Sequence, residues 1–178
     1  GQKRSLYYLT GERWKFTEAI SFHNNLWISL FTKNAVGGTE WLGHFIDRKN
    51  QLYHATAISN FLKGESLTKP KWEIVTPNVS HQDLRGFSLQ SEGQSWAWIQ
   101  NKYYTWVEAG HYGKTPPVIS QAAIEIPVKI NGNYKIEIWD THKGTVTSTI
   151  NASSRNGLVF CDLPPVEKDI ALKVKLVK

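Results

Sequence analysis

Short strand-like runs alternate with amphipathic helical segments between Leu6 and Gly64, and no other feature of the sequence limits its possible folds as strongly. Residues 6–10 form the first strand-like run, and residues 36–41 form the second. Strands that alternate with helices favour a parallel sheet, whose two faces must both be covered. Two such strands cannot achieve this alone. The sequence therefore predicts the last two strand-helix units of a barrel, with the other strands supplied from outside this chain.

Both helices are predicted from apolar residues that recur at steps of three and four. Thr17 can cap the first helix, and the second is predicted over residues 50–63, with Asp47 or Asn50 at its start and Gly64 as its C-terminal cap. The apolar stripes are Ala19, Phe22, Leu26 and Leu30, widened by Ile20, Trp27 and Phe31, in the first helix, and Leu52, Ala55, Ile58 and Leu62 in the second. Stripes of this kind fit packing against a sheet.

After Gly64 the apolar period falls to two residues. A linker with one edge strand at residues 72–75 comes first, and a hairpin turn is predicted at Glu92-Gly93. Short strands are predicted at residues 85–90, 94–101, 124–129, 134–140, 145–150, 157–161 and 169–177. The predicted fold class is α/β plus all-β: terminal strand-helix units of a (β/α)8 barrel in residues 1–64, a linker in residues 65–80, and an antiparallel β-sandwich in residues 81–178.

Alternation also predicts which side chains face the core of the sandwich. Tyr134, Ile136 and Ile138 share one side of their strand, whereas Lys173 and Lys175 point to the side away from the core. The net charge of +6 is spread along the chain, and the alternating lysines are typical of a solvated face. No motif for nucleic-acid binding accompanies this charge, so no nucleic-acid partner is predicted.

The sequence lacks the motifs that mark several classes of catalytic and metal-binding sites. Cys161 is the single cysteine and lies in an apolar run, which predicts a buried, inert thiol. The six histidines show no metal-ligand spacing, and the chain has neither a phosphate-binding glycine loop nor a serine-hydrolase elbow. No metal and no cofactor are predicted. No apolar run approaches the length of a membrane span.

Glu12 is the first candidate for catalysis. It follows Gly11 at the end of the first predicted strand, where a barrel presents side chains to substrate. It can serve as a nucleophilic or acid/base carboxylate in glycoside cleavage, or it can be an ordinary loop glutamate. Glycoside hydrolysis needs two carboxyl groups at one bond, about 5 to 5.5 Å apart in retaining enzymes. Glu18 is a poor partner, because it lies on the following helix.

Tryptophans are the candidates for contact with a sugar. Trp41 ends the second predicted strand and can either stack on a sugar face or close the top of the barrel. His44 follows in the same loop. In the sandwich, Trp96 and Trp98 share one face of a strand, which forms either an aromatic platform for polysaccharide or a layer that fills the boundary between the two parts; we favour the second alternative. His23, on the first helix, is predicted to be a hydrogen-bonded packing residue.

The chain resembles the C-terminal part of a clan A glycoside hydrolase. The run His23-Asn24-Asn25-Leu26-Trp27, then Gly37-Gly38-Thr39-Glu40-Trp41 and residues 58–62, are similar to the end of its (β/α)8 barrel. Residues 94–101, 132–141 and 163–172 are similar to recurrent strands of the β-sandwich that is attached to many such barrels. The segment Glu40-Trp41-Leu42-Gly43 departs from the pattern, because relatives commonly carry further aromatic residues there.

This resemblance implies a function and a site. Gly11-Glu12 stands where the seventh barrel strand ends in the nucleophile, and Trp41, with Trp14 and His44, would line the site. The acid/base glutamate belongs to the fourth strand, upstream of Gly1, so this chain alone should be inactive. The implied partners are a β-linked polysaccharide or oligosaccharide and the remaining N-terminal barrel portion, as a second chain or a longer precursor. The implied location is secreted, periplasmic or at the cell surface.

A second function remains open from the sequence. The sandwich can be a non-catalytic carbohydrate-binding or spacer module, with the helical part as its packing partner only. In that case Trp96 and Trp98 would be the binding residues. A pseudoenzyme or a cell-surface adhesion protein is a third alternative.

Overall fold

The structure, a computed structural model, describes residues 19–33, 46–47 and 50–177 of the chain. In these ranges two helices precede nine strands, and a π-helix (Trp106–His111) lies between the fourth and fifth strands. The helices are α1 (Ile20–Phe31) and α2 (Tyr53–Leu62). The strands are β1 (Glu73–Val75), β2 (Asn78–Val79), β3 (Leu84–Ser91), β4 (Gln94–Asn101), β5 (Ala123–Pro127), β6 (Asn133–Asp140), β7 (Thr145–Ser153), β8 (Leu158–Asp162) and β9 (Asp169–Leu176).

The strands form two antiparallel sheets. One sheet has six strands in the order β1-β3-β4-β9-β6-β7, and the other has three in the order β2-β5-β8. The prediction of an antiparallel β-sandwich is confirmed. The two strands predicted at residues 6–10 and 36–41 lie outside the described residues, so the barrel part of the fold stays a prediction.

The hydrophobic core lies between the two sheets, and strict alternation along the strands builds it. Tyr134, Ile136 and Ile138 of β6 are buried there, as predicted. Leu172 and Val174 of β9 join them, together with Cys161, whose burial raises the pKa of its thiol to about 11. A buried thiol that stays protonated is a poor nucleophile and a poor metal ligand. These contacts fit the prediction of an inert Cys161.

Some local features of the fold, such as tight turns, are predicted correctly from the sequence, and others are not. The β3–β4 hairpin turns at Glu92-Gly93 as predicted, with Gly93 at φ +75°, a conformation that favours glycine. β1 is an edge strand, also as predicted. The two-residue strand β2 and the π-helix were not predicted. β2 is too short for alternation to be visible, and no sequence pattern signals a π-helix.

The helices lie side by side on part of the outer face of the six-stranded sheet. The side of α1 that is buried there carries Ile20, His23, Trp27 and Phe31, and the buried side of α2 carries His54, Ala57 and Phe61. This corrects the predicted stripes: Phe22, Leu26 and Leu30 are only half-buried, and Leu52 is 56% exposed. In α1 the predicted stripe is right at Ala19, Ile20, Trp27 and Phe31 and omits only His23. In α2 each buried residue directly precedes a predicted one, so the pattern misplaces the buried side of this helix. No helix in the described ranges is long and apolar enough to cross a membrane.

The helices cover part of the outer face of the six-stranded sheet, so the prediction of a solvated face is wrong for Lys173, whereas the side chain of Lys175 is 45% exposed. Lys173 is buried, with 3% of its surface exposed. Its ammonium group lies 2.9 Å from Glu65 Oε1, and 4.8 and 5.0 Å from the ring centres of Phe61 and Trp139. The carboxylate and the aromatic faces replace the water that the cation loses. Alternation placed Lys173 on the correct side of β9, but it could not reveal the helices above it.

The turn after β6 touches the backbone of α2 so closely that it requires glycine. A Cβ atom at Gly144 would lie 2.6 Å from Cα and 2.8 Å from the carbonyl oxygen of Ala57, and Gly144 has φ +65°. We expect Gly144→Ala to lower the free energy of unfolding by about 2–3 kcal/mol, because both the φ angle and the contact oppose a side chain. Urea denaturation measures this loss.

Gly113→Ala is the matched control. Gly113 has a similar φ of +66°, but no atom lies within 4 Å of the position of its Cβ. This variant should lose only about 1 kcal/mol, the cost of the backbone conformation alone. Equal losses in the two variants would contradict close packing of the β6–β7 turn against α2.

Candidate functional site

Four of the predicted site residues lie outside the described residues. These are the candidate nucleophile Glu12 and the three candidate substrate-binding residues Trp14, Trp41 and His44. Their roles stay predictions.

Trp96 and Trp98 lie in an aromatic layer between the helices and the six-stranded sheet. Trp96 is 0% and Trp98 is 1% exposed. Trp96 contacts Trp72, with 3.9 Å between ring centres, and Phe61, at 5.7 Å. Trp98 stacks on Phe87. Neither indole offers a face to a ligand in this arrangement, and these contacts favour the alternative in which the rings fill a boundary.

Glu65, the first residue of the predicted linker, forms ion pairs with two lysines of β9. Its Oε1 atom accepts hydrogen bonds from Lys173 at 2.9 Å and from Lys175 at 2.6 Å. Burial by itself would raise the pKa of Glu65, but the hydrogen bonds and charges of the two lysines outweigh it and hold the pKa below its usual value. Glu65 is thus ionised in the folded state.

The lowered pKa of Glu65 predicts a pH dependence of stability. Because the carboxylate is harder to protonate in the folded than in the unfolded chain, its contribution is complete above the ordinary pKa of 4.5 and is lost as the pH falls through the folded-state pKa. We expect the free energy of unfolding of Glu65→Gln to fall less steeply below pH 4.5 than that of the wild type. Glu92→Gln, at an exposed turn position, should follow the wild type. Parallel curves for Glu65→Gln and wild type would contradict this prediction.

Three histidines and one aspartate, distant in sequence, meet where α1, α2 and the sandwich join. His23 comes from α1, His54 from α2, His142 from the turn after β6, and Asp169 from the start of β9. We call these four residues the His–Asp cluster. His23, His54 and Asp169 are buried, and the side chain of His142 is 17% exposed.

Asp169 and His23 form the centre of this cluster. His23 Nε2 lies 3.0 and 3.1 Å from the two carboxylate oxygens of Asp169, and Trp98 Nε1 donates a hydrogen bond to Oδ1 at 3.1 Å. Burial by itself would raise the pKa of Asp169, but His23 and His142 outweigh it and hold that pKa well below its usual range. Since a carboxylate can only accept, His23 Nε2 is a donor, and Nδ1 of a neutral His23 then carries a lone pair.

His54 and His142 complete the cluster. His54 Nδ1 lies 2.9 Å from His23 Nδ1, and the ring of His142 stacks on that of His23 with 4.1 Å between centres. Burial, and then the neighbouring His23 and His142, lower the pKa of His54 to about 3, so His54 is neutral at ordinary pH. Nε2 of His54 and Nε2 of His142 are buried without a hydrogen-bond partner among the described residues.

The three rings bring ring nitrogens close to one another. One nitrogen from each of His23, His54 and His142 can be chosen so that all three lie within 4.8 Å of one another. Neutral imidazole is the usual protein ligand for zinc and its neighbours in the first transition series. The sequence did not predict this group of residues, because metal motifs are recognised by local spacing. The sequence does contain one indication of this group: each of the two helices has a histidine among the apolar residues of its buried side.

Similarity to known proteins is confined to solved structures. No protein-family model matches the sequence, and no curated protein matches it. Among solved structures, a GH30 endoxylanase from Clostridium papyrosolvens C71 is similar over 71% of this chain and 28% of its own, with 11% identity and a TM-score of 0.41. A glycoside hydrolase family 30 subfamily 8 xylanase from Clostridium acetobutylicum is similar over 72% and 29%, with 14% identity and a TM-score of 0.40.

A third similar structure is CelM2, a bifunctional glucanase-xylanase from a metagenome library. It is matched over 54% of this chain and 16% of its own, with 13% identity and a TM-score of 0.32. The chain thus spans less than a third of the length of each of these three proteins.

Proposed function

We propose that this chain is the C-terminal portion of a retaining glycoside hydrolase that acts on a β-linked polysaccharide outside the cytoplasm. The complete enzyme, called here the parent protein, would add the upstream barrel strands, including the strand with the acid/base glutamate. Glu12 would be the nucleophile. Trp14, Trp41 and His44 would line the sugar site.

One observation carries this proposal: the two helices predicted to follow the last two barrel strands are packed onto the sandwich as a pair. α1 and α2 contact each other, and Trp27 and Phe61 pack into the aromatic layer on the sheet. Asn24 of α1 donates a hydrogen bond to the carbonyl oxygen of Tyr104, which fixes the helix to the loop after β4. A barrel that ends in two helices and continues into a sandwich needs such a junction.

Exposed apolar side chains next to the helices give further support. Leu52 and Tyr53 at the start of α2, and Val107 and Tyr112 in and after the π-helix, are exposed in the structure. Apolar surface of this kind is typical of regions that contact more protein or a ligand. A missing barrel portion would supply such a contact.

The alternative function is a non-catalytic carbohydrate-binding or spacer module, for which Trp96 and Trp98 were the predicted sugar-binding residues. Because Trp96 and Trp98 are buried, a sugar-binding module would need a different surface. The spacer alternative makes no demand on these two rings.

The stereochemistry of hydrolysis by the parent protein tests the proposal. Xylan and β-glucan are suitable first substrates, and ¹H NMR reports which anomer of the product forms first. A carboxylate nucleophile at Glu12 predicts the β-anomer, because two displacements retain the configuration. The 178-residue chain alone serves as a control and should release no sugar. Initial formation of the α-anomer, or no hydrolysis by the parent protein of any β-linked polysaccharide, would contradict the proposal.

A further inference from the structure

We propose that His23, His54 and His142 form a binding site for one divalent transition-metal ion of the Zn²⁺ type. The site would join α1 and α2 to the turn after β6. It does not depend on the proposed hydrolase function, since none of its residues belongs to the predicted sugar site.

The distances between the rings are the first argument. Zn²⁺ binds histidine nitrogen at about 2.0–2.1 Å, so two nitrogens in a tetrahedral site lie about 3.3 Å apart. His23 Nδ1 and His54 Nδ1 are 2.9 Å apart, and the three candidate ligand atoms are all within 4.8 Å. His142 stacks on His23 with 10° between the ring planes, and lone pairs in two parallel planes cannot meet at one ion. Binding therefore requires the ring of His142 to turn out of this stack towards the nitrogens of His23 and His54. The fourth position would be filled by water or by a carboxylate oxygen.

Asp169 provides the second argument. Metal-bound histidines commonly donate their other N–H group to a carboxylate, which fixes the tautomer and increases the basicity of the metal-binding nitrogen. His23 has this arrangement: Nε2 donates to Asp169, and Nδ1 points to His54. Trp98 donates to the same carboxylate and holds it in position. His23 is therefore oriented with its lone pair towards the other two rings.

Buried ring nitrogens are the third argument. Nε2 of His54 and Nε2 of His142 have no hydrogen-bond partner in the described part of the chain, although His142 Nε2 lies 3.7 Å from Asp169 Oδ2. An unpartnered buried polar atom is costly, and metal coordination would reorganise the cluster and compensate for that cost.

The competing interpretation is a purely hydrogen-bonded cluster that packs the helices on the sandwich. In it, Asp169 holds His23, and His23 holds His54, through hydrogen bonds, and His142 packs by stacking on His23 with its Nε2 atom 3.7 Å from Asp169 Oδ2. This interpretation predicts no response to a metal ion.

Titration of the full chain with Zn²⁺, after dialysis against a chelator, separates the two interpretations. We expect one equivalent of Zn²⁺ to bind and the Tm to rise by about 5 °C or more at saturation. Co²⁺, which has visible absorption bands that depend on coordination, should give the intense bands of a four-coordinate site. His142→Asn should weaken Zn²⁺ binding by at least about 100-fold and abolish the Tm shift.

His142 is the suitable residue to change, because its partial exposure makes a loss of folding less of a concern than at His23 or His54. His111→Asn is the matched control, since His111 is an exposed histidine on the π-helix; this variant should bind Zn²⁺ like the wild type. An unchanged Tm with excess Zn²⁺, or equal binding by wild type and His142→Asn, would overturn the proposal and leave the cluster with a packing role.

Discussion

Glu12→Gln in the parent protein is expected to lower kcat/KM on a β-linked polysaccharide by at least about 10³-fold. An amide cannot attack the anomeric carbon, so the covalent glycosyl intermediate of a retaining enzyme cannot form. Because the side chain keeps its size, the Kd for substrate should change little. Initial-rate measurements together with substrate binding by calorimetry separate these two effects.

Glu18→Gln is the control for the Glu12 prediction. Glu18 comes six residues later in the sequence, which assigns it no part in the reaction. This variant should retain nearly full activity. A normal rate for Glu12→Gln, or an equal loss in both variants, would exclude Glu12 as the nucleophile.

Trp96→Ala is expected to lower the free energy of unfolding by about 3–5 kcal/mol. The indole is fully buried, and its removal would leave a cavity between Phe61, Trp72 and the ammonium group of Lys173. The cavity cannot close easily, because the sheet on one side and the two helices on the other are held by separate contacts. Urea denaturation, followed by circular dichroism, measures this loss.

Tyr112→Ala provides a comparison at an exposed aromatic residue. Tyr112 is 62% exposed, and its removal should cost less than about 1 kcal/mol. The pair of variants also distinguishes the two interpretations of Trp96. A Trp96→Ala protein of near-normal stability that no longer binds polysaccharide would support the aromatic platform and would contradict the packing role.

The parts of the fold that the sequence predicts well are those with local causes. The Glu92-Gly93 hairpin follows from a turn that needs φ > 0 at glycine, and α2 ends before Gly64, which has φ +78°. The alternation in β6 and β9 gives the inner face of the sandwich, because the side-chain period of a strand is fixed. Each of these features is set by a few neighbouring residues.

The features that the sequence does not predict depend on which element packs against a given face of a strand or helix. Lys173 was assigned to a solvated face, but α2 covers that face and places Phe61 against its ammonium group. The apolar pattern also misplaced the buried side of α2 and missed the burial of His23 in α1, because His23 and His54 occupy core positions that a hydrophobicity pattern treats as polar. Tertiary contacts decided both cases.

The His–Asp cluster shows the same limit for the candidate site. His23 and Asp169 are separated by 146 residues, and His142 lies in a turn that no metal motif includes. Such a group becomes visible only after the helices are placed on the sheet. Trp96 and Trp98, in contrast, were visible in the sequence as a pair on one face, but the sequence alone could not tell which partner that face has.

The most direct test of the central claim is to trap the covalent intermediate in the parent protein. A 2-deoxy-2-fluoro-β-glycoside with an activated leaving group slows the second displacement, so the sugar stays attached to the nucleophile. Trypsin then releases residues 5–13, a peptide in which Glu12 is the one side-chain carboxylate. We predict that mass spectrometry will find the sugar on this peptide. Sugar on another peptide of an inactivated enzyme, or complete absence of labelling in an active one, would contradict the assignment of Glu12 and the hydrolase proposal built on it.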